Sequence, residues 1–356
     1  MSEVKFDVLN ARVTFKNVPL HSLARFAFKD VAAAAEAFKK IPGVEECIII
    51  QTSSRVEIFT VSNLETDDST DARRPEGKGL IINQMKETWQ ENSNIEQIDI
   101  DHFDQTLEVF KDDDVYLHLL RLACGLDSVV VGKQEVYEEI VKSLDEAKKS
   151  GASGKILNKL FDSVIRLANS IRDSTEIHKE VLSLGDVALN LIEEKVGLDA
   201  KKKVLLIGTG ESAAMVAKTL GQKEIPFTVT SKTIDRSTNF SQLLGGTPME
   251  FVDVLSGFNK FDIVIVATTA DYFLIDLERI KLVMQDKKKG TLLLDISEPR
   301  AVEETIMELP GIKLLFRDQV AEIYEENAKL RAGIVPAVEK IIDKELPVLS
   351  ASMKRV

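Results

Sequence analysis

The stretch VLLIGTGESAA, Val204 to Ala214, joins a short apolar run to a glycine-bearing turn and then to a helix-forming segment. It opens a series. FTVTS, DIVIVAT, TLLLDI and IKLLF follow as short apolar runs separated by segments of helical period. Such a series predicts βαβ units around a parallel sheet, because strands covered on both faces read as nearly continuous apolar runs. Within the turn, Gly208-Thr209-Gly210-Glu211-Ser212-Ala213 has the form GxGxxA. Gly208 permits the tight turn, Gly210 lets backbone approach a pyrophosphate, and small Ala213 lets helix and strand pack closely. Glu211 and Ser212 stand at the helix start, whose free N–H groups and positive dipole suit phosphate. Methyltransferases and plain structural turns use similar loops. The strand before it, the helix after it and the βαβ series favour a dinucleotide.

The second strand of the series ends in Ser231-Lys232-Thr233. NAD sites place an acid there to hold the ribose diol. A cation with two hydroxyls suits a 2′-phosphate instead, so NADPH is the expected cofactor; the bland alternative is a solvated loop lysine.

Ahead of this module lies a different pattern. VKFDVLNARVT (residues 4–14) reads as a strand, KDVAAAAEAFKKI (Lys29 to Ile41) as a helix stopped by Pro42-Gly43, and EECIIIQ and RVEIFTVS as strands flanking Thr52-Ser53-Ser54. The polar stretch from Asn63 to Gly79 reads as a mobile loop. Helices are expected over about Leu80 to Asn92, Val115 to Cys124 and Gln134 to Ser150, and a long helical region from Gly154 to about Val196. HLLRLACGLDSVVVG, His118 to Gly132, sets a histidine and a serine around a glycine-bearing helix end, outside the nucleotide module. A polar site apart from a nucleotide module suggests a reductase with its substrate domain in front. After Phe316 the chain reads as one long helix, with Pro336 expected to kink it or end its first half.

The expected fold class is therefore α/β: an N-terminal α+β substrate domain (1–152), a helical linker (153–200), a Rossmann NADP-binding domain (201–316) and a long C-terminal helix (317–356). No apolar run approaches the roughly 18 residues of a membrane span, and MSEVKFDVLN lacks a basic-then-apolar leader, so a cytoplasmic protein without membrane contact is expected. Cys47 and Cys124 give no disulfide framework, and His21, His102, His118 and His178 lack metal-ligand spacing; no metal is expected. The net charge of −12 argues against a general nucleic-acid binder. Any RNA contact needs a local basic face, for which Lys155, Lys159, Arg166 and Arg172 are candidates; a solvated helix face is the plainer reading.

Taken together, these segments resemble the glutamyl-tRNA reductase family, in its archaeal form. QTSSRVEIF is similar to its T-C-N-R-x-E-I-Y signature, and HLLRLACGLDSVVVG to its H-L-x-R-x-A-x-G-L-D-S-x-V-x-G signature. TGESAAMVAK resembles its nucleotide loop, Ser231-Lys232-Thr233 its N-R-T, and DISEPRAVE its D-I-A-x-P-R segment. The resemblance implies NADPH-dependent reduction of glutamyl-tRNA(Glu) to glutamate 1-semialdehyde, the first step of C5-pathway tetrapyrrole biosynthesis. It implies Ser53 at the nucleophile position, Thr52 and Arg55 on the glutamyl group, His118 in the active site, and Ser128 and Glu139 at substrate. It also implies a homodimer through the terminal (spinal) helix and a possible partner in glutamate-1-semialdehyde aminotransferase. The family continues beyond that helix with a further dimerisation segment, whereas Val356 closes this sequence, so a minimal or incomplete dimer region is expected.

The departures fall on the chemistry. Ser53 stands for the family's cysteine, Ser54 for its asparagine, Lys133 for a glutamate, and Glu135 and Glu139 for glutamines. A single trapping substitution would account for Ser53 but not for Ser54 and Lys133. A serine hydroxyl is a far weaker nucleophile near neutral pH than a cysteine thiol. Three chemistries stay open: Ser53 with His118 as its base, direct hydride reduction of the tRNA ester, or no activity. Cys47 lies roughly 20 Å from Ser53 along an extended strand, and Cys124 faces away from His118 on its helix, so both are expected in the core. The rivals are a non-catalytic or regulatory homologue binding glutamyl-tRNA or a partner enzyme, and a shikimate-dehydrogenase-type NADP oxidoreductase.

Overall fold

The structure, a computed structural model, describes residues 6–63, 78–179, 181–285 and 290–355. All but the ends of the polar stretch Asn63 to Gly79 lies outside them. The chain divides into two compact units. One contains Arg25–Val181 with the first strand and Leu330–Val356; the other contains Leu182–Lys329 and Pro19–Ala24.

The first unit is built on a four-stranded antiparallel sheet, order β2-β3-β1-β4. The elements up to residue 175 in chain order are β1 (Asp7–Thr14), α1 (Leu20–Phe26, most of which belongs to the other unit), α2 (Val31–Lys39), β2 (Val44–Thr52), β3 (Arg55–Ser62), α3 (Lys78–Asn92), α4 (Gln97–Asp101), α5 (Phe103–Thr106), β4 (Glu108–Lys111), α6 (Asp113–Ala123), α7 (Glu135–Ser150) and α8 (Lys155–Thr175). Every residue of β3 is buried, because helices cover both faces. On one face Phe28 packs against Phe38 of α2 and Trp89 of α3, with ring centroids 5.8 and 5.7 Å apart. On the other, Phe59 meets Phe161 of α8 edge-on at 5.2 Å.

Strand alternation assigns the polar residues to one of these faces. Arg55, Glu57 and Phe59 share a face of β3. The register pairs Glu57 with Arg12, Arg12 with Glu108, and Arg55 with Thr14 and Thr52. A charged row, Glu57-Arg12-Glu108, thus crosses the sheet beneath the helices. The short strand EVFK was not foreseen; four residues of mixed polarity carry no period.

The expected helical region from Gly154 to Val196 is two helices. Glu176 adopts a left-handed φ of 56° and ends α8, and Ser183 opens α9 (Leu184–Val196) with a capping box to Asp186. Helix α8 starts on a buried carboxylate. Glu46 accepts from the N–H groups of Ile156 and Leu157 at 3.0 and 2.7 Å, holding negative charge at the positive helix end.

The basic face expected on α8 needs correction. Arg172 points inward, is buried, and donates to Ala123 O, Gly132 O and Gln134 Oε1. Lys159 donates to Ser352 O at 2.6 Å. Helical spacing placed these residues on one stripe but could not say what packs there.

The second unit is a parallel sheet of order β10-β9-β8-β5-β6-β7. After α9 come β5 (Val204–Ile207), α10 (Glu211–Gln222), β6 (Phe227–Thr230), α11 (Ile234–Leu244), β7 (Thr247–Pro248), α12 (Phe251–Ser256), β8 (Ile263–Val266), α13 (Leu277–Met284), β9 (Thr291–Asp295) and β10 (Ile312–Phe316). Two mononucleotide halves, β5-β6-β7 and β8-β9-β10, lie back to back, and strand order reverses between β5 and β8. Ligands of open α/β sheets bind at such a switch point. Asp295, at the end of β9, is buried and accepts from the N–H groups of Ser297, Ala301 and Val302, fixing the loop that follows.

The final helix, α14 (Asp318–Met353), runs unbroken through Pro336 and Pro347. Pro336 therefore does not end its first half: a proline removes one internal hydrogen bond, which a 36-residue helix tolerates.

Arg172 ties the end of α6 to Gly132. Arg172→Met should destabilise the first unit by about 2–4 kcal/mol in urea melts, because buried carbonyls lose their donor. A change below roughly 0.5 kcal/mol would show that the tie is not structural.

Candidate active site

The charged row becomes a site because α6 and the loop after it close over it. Glu57 is 0% exposed. Its Oε1 accepts from Arg55 Nη1 at 2.8 Å, its Oε2 contacts His118 Nε2 at 2.8 Å, and Asn10 Nδ2 donates to Oε2 at 3.4 Å. On the other side of the imidazole, His118 Nδ1 lies 3.5 Å from Asp127 Oδ2. Phe110 stacks on the ring at 16°, centroids 5.9 Å apart. Arg12 donates to Glu108 at 2.8 Å, and its Nη1 also lies 2.5 Å from His118 Nδ1 and 2.9 Å from Nε2, with its guanidinium over Phe110.

The loop from Gly125 to Gly132 delivers Asp127 and Ser128. Both glycines have left-handed φ, 85° and 84°, and Gly132 N–H donates to Gly125 O at 3.1 Å, closing the loop. A Cβ on Gly132 would stand 2.2 Å from Ile177 O, so only glycine fits. Asp127 O accepts from Arg55 Nη2, and its carboxylate also lies 3.5 Å from Arg121 Nε.

These neighbours shift the acid–base balance. Burial would raise the Glu57 pKa, but the His118 charge, with Arg55 and Arg12, outweighs it and holds the carboxyl well below its usual range. Burial pulls His118 down, yet Glu57 and Asp127 carry it above its ordinary value, against opposition from Arg12. Burial also works against Asp127, and its hydrogen bond to His118, with Arg121 and Lys16, brings it to about 2. The site thus favours an imidazolium between two carboxylates.

The expected residues are spread unevenly over this geometry. His118 and Arg55 gather in it, and Ser128 follows Asp127 on the loop. Arg55 is 2% exposed with both terminal nitrogens engaged, so it presents no open fork; its Nε and the Ser128 Oγ are buried without a protein hydrogen-bond partner. Ser53 sits half-buried in the two-residue turn between β2 and β3, beside Thr52, whose Oγ1 accepts from Ser54 N–H at 3.1 Å. No hydrogen bond joins Ser53 to His118 among the described residues; Glu57 engages Nε2, and Arg12 and Asp127 lie at Nδ1. Glu139 lies on α7, 3.7 Å from Lys142, and takes no part in the cluster. Lys133 pairs with Glu135 at 3.3 Å. Cys47 and Cys124 are buried, and burial pushes both thiols up, Cys124 to about 12. Among the described residues no cluster of side chains could hold a metal ion. Glu57 and Asp127 were not singled out from sequence, although both lie inside the quoted signatures.

In the second unit the GxGxxA turn joins β5 to α10. Gly208 follows β5 with φ 127°, and a Cβ there would stand 2.0 Å from Ala267 O. Gly210, the N-cap of α10, has open space about it and no side-chain cap, and exposed Glu211, half-buried Ser212 and buried Ala213 follow. Unfilled space over free helix N–H groups fits a pyrophosphate. Ser231 Oγ donates to Thr233 O at 3.1 Å, leaving Lys232 exposed in the loop after β6.

Comparison with known proteins bears on both units. The family described as glutamyl-tRNAGlu reductase, N-terminal domain, matches residues 11–175, and shikimate / quinate 5-dehydrogenase matches residues 190–323. The shikimate likeness covers the nucleotide half alone. A glutamyl-tRNA reductase of Cenarchaeum symbiosum is 41% identical over 98% of this chain and 79% of its own length. One of Methanothrix thermoacetophila is 31% identical over 96% and 77%. Among solved structures, glutamyl-tRNA reductase from Methanopyrus kandleri aligns over 98% of this chain and 80% of its own, with 25% identity and a TM-score of 0.50.

The His118–Glu57 pair has a pH signature. Glu57, depressed below its ordinary 4.5, contributes stability above that value and loses it as pH falls toward its folded pKa. His118, raised above its ordinary 6.5, contributes fully below that value and loses it as pH rises through its folded pKa. Stability should therefore decline on going from pH 6 to pH 8.5, and Glu57→Gln should flatten that decline in denaturant melts at the two pH values. An unchanged slope in the variant would separate His118 titration from Glu57.

Proposed function

The chain belongs to the glutamyl-tRNA reductase family, and from that we propose that it reduces glutamyl-tRNA(Glu) to glutamate 1-semialdehyde with NADPH, opening tetrapyrrole synthesis. The observation that carries this reading is the buried His118–Glu57–Arg55 cluster, whose carboxylate favours the protonated imidazole, together with the unpartnered Ser128 Oγ on the loop that delivers Asp127. A buried hydroxyl without a partner costs about 1–3 kcal/mol, and a polar substrate atom would recover it.

Ser128 Oγ is the donor assigned to the glutamyl group, with Thr52 and Ser53 at the hairpin tip, while Arg55, closed in by Glu57 and Asp127 O, holds the loop in place. NADPH, when bound, supplies a hydride to the ester carbonyl carbon. His118 gives its proton to the departing ribose oxygen as the bond to tRNA breaks, leaving the aldehyde and free tRNA. Glu57 and Asp127 stabilise the proton on His118 before transfer. With Glu57 at Nε2 and both Arg12 and Asp127 at Nδ1, neither ring nitrogen of His118 is free to take a proton from Ser53. The geometry therefore favours direct reduction of the ester over an acyl-serine route. A binding-only role, the rival reading, has no comparable use for a buried charged histidine.

For the cofactor, Ser231-Lys232-Thr233 supports a 2′-phosphate and hence NADPH over NADH. Exposed Ile323, Leu330 and Val348 on α14 suit a helix contact with a second copy. Handing a reactive aldehyde to glutamate-1-semialdehyde aminotransferase would fit the same chemistry. A cytoplasmic setting fits too; no helix among the described residues is long and apolar enough to cross a membrane.

The test is semialdehyde formation from glutamyl-tRNA and NADPH. Ser53→Ala should retain most turnover, whereas Ser53→Cys should raise it by opening a thioester route. Loss of turnover in Ser53→Ala would restore the acyl-serine chemistry, and no product from either the unmodified chain or Ser53→Cys would favour a binding role. Separately, Lys232→Ala should weaken NADPH by about 1–2 kcal/mol, discounted for exposure, and leave NADH unchanged. Equal affinity of the unmodified chain for both cofactors would remove Lys232 from the site.

A further inference from the structure

We propose that Tyr272 and Phe273 form the stacking wall for the nicotinamide ring, an inference that rests on the NADPH reading above. In a doubly wound sheet each mononucleotide half holds one half of the dinucleotide. Here β5-β6-β7 carries the pyrophosphate turn and Ser231-Lys232-Thr233, and so takes the adenosine half. The nicotinamide half falls to β8-β9-β10, under the loops leaving their carboxyl ends.

The loop leaving β8 is braced at both ends. Ala267 N–H donates to Ile207 O at 2.8 Å, Thr268 N–H to Ser297 Oγ at 3.1 Å, and Ala270 N–H to Thr268 Oγ1 at 3.3 Å. On the far side Leu274 N–H donates to Ala301 O at 2.8 Å. Arg279 Nη1 donates to Leu274 O at 2.7 Å and Phe273 O at 3.3 Å, and Arg279 pairs with Asp276 at 3.0 Å. Ala267 is also the residue against which Gly208 packs, so the loop begins at the switch point itself.

Between these braces Tyr272 and Phe273 are left 55% and 47% exposed. They are the only aromatics among the exposed large apolar side chains of the described residues. Two consecutive aromatic side chains, exposed on a loop braced at both ends at the carboxyl end of β8, suit a flat heteroaromatic ring. Stacking tolerates the ring's oxidation state, so the wall would position the ring in both substrate and product cofactor.

Calorimetric titration with two probes tests this: NADPH, and adenosine 2′,5′-bisphosphate, which lacks the nicotinamide half. Tyr272→Ala with Phe273→Ala should weaken NADPH by roughly tenfold or more, while the bisphosphate binds as before. Tyr272→Phe, which keeps the ring, should retain NADPH affinity. NADPH binding within twofold of the unmodified chain in the double variant would overturn the proposal. So would equal weakening of both probes, or, in a parallel titration with glutamyl-tRNA, a loss confined to that ligand, which would make the rings a platform for an RNA base. If the unmodified chain bound neither probe, the cofactor reading itself would fail and this wall with it.

Discussion

A carboxylate with no solvent exposure cannot stand alone in a protein interior; desolvating it costs several kcal/mol unless partners surround it. Glu57 is such a group, and much of the first unit is arranged to satisfy it. Strand pairing brings Arg12 beside it, alternation along β3 brings Arg55 to the same face, and α6 lowers His118 onto it. Arg55 in turn reaches Asp127 O, so the loop between Gly125 and Gly132 is held to the sheet by the same cluster. Arg172 secures the other side of that loop from beneath. Removing one partner of such a cluster leaves the others buried and uncompensated, so position and charge are set together.

The chemical consequence is a histidine whose proton is retained rather than shared with a nucleophile. A base for Ser53 would need a free ring nitrogen turned toward it, and both are engaged, Nε2 by Glu57 and Nδ1 by Arg12 and Asp127. An acid for a departing alkoxide needs a held proton and a negative surround that stabilises it before transfer, which is what Glu57 and Asp127 supply. The absence of cysteine at position 53 and the arrangement around His118 therefore point the same way. The second unit contributes separately, through a glycine turn in which Gly208 approaches Ala267 too closely for any side chain.

The nucleotide fold was legible because its signal is local. Strand, turn and helix are contiguous from Val204 to Ala214, and the roles of Gly208, Gly210 and Ala213 follow from chain geometry alone. The site in the first unit was legible only in part. His118 and Ser128 were noticed because a histidine and a serine are unusual around a glycine-ended helix. Glu57 lay in an apolar strand pattern where alternation looked ordinary, and its importance arises from Arg12, His118 and Arg55, which the fold brings in from two other elements and its own strand. Arg172 misled for the same reason: its charge suggested solvent, but the carbonyls that receive it lie some 40 to 49 residues away in sequence. Pro336 misled in the opposite direction, since a local rule for ending helices was overridden within α14.

The central claim is that His118 holds its proton in the resting site. Nitrogen-15 NMR of the histidine-labelled chain at pH 6.5, where a free imidazole is about half protonated, reads this directly. The account predicts imidazolium shifts for His118 in a larger share of molecules than a free histidine shows at that pH. A neutral tautomer with one bare nitrogen would contradict it, and would return His118 to the role of a base.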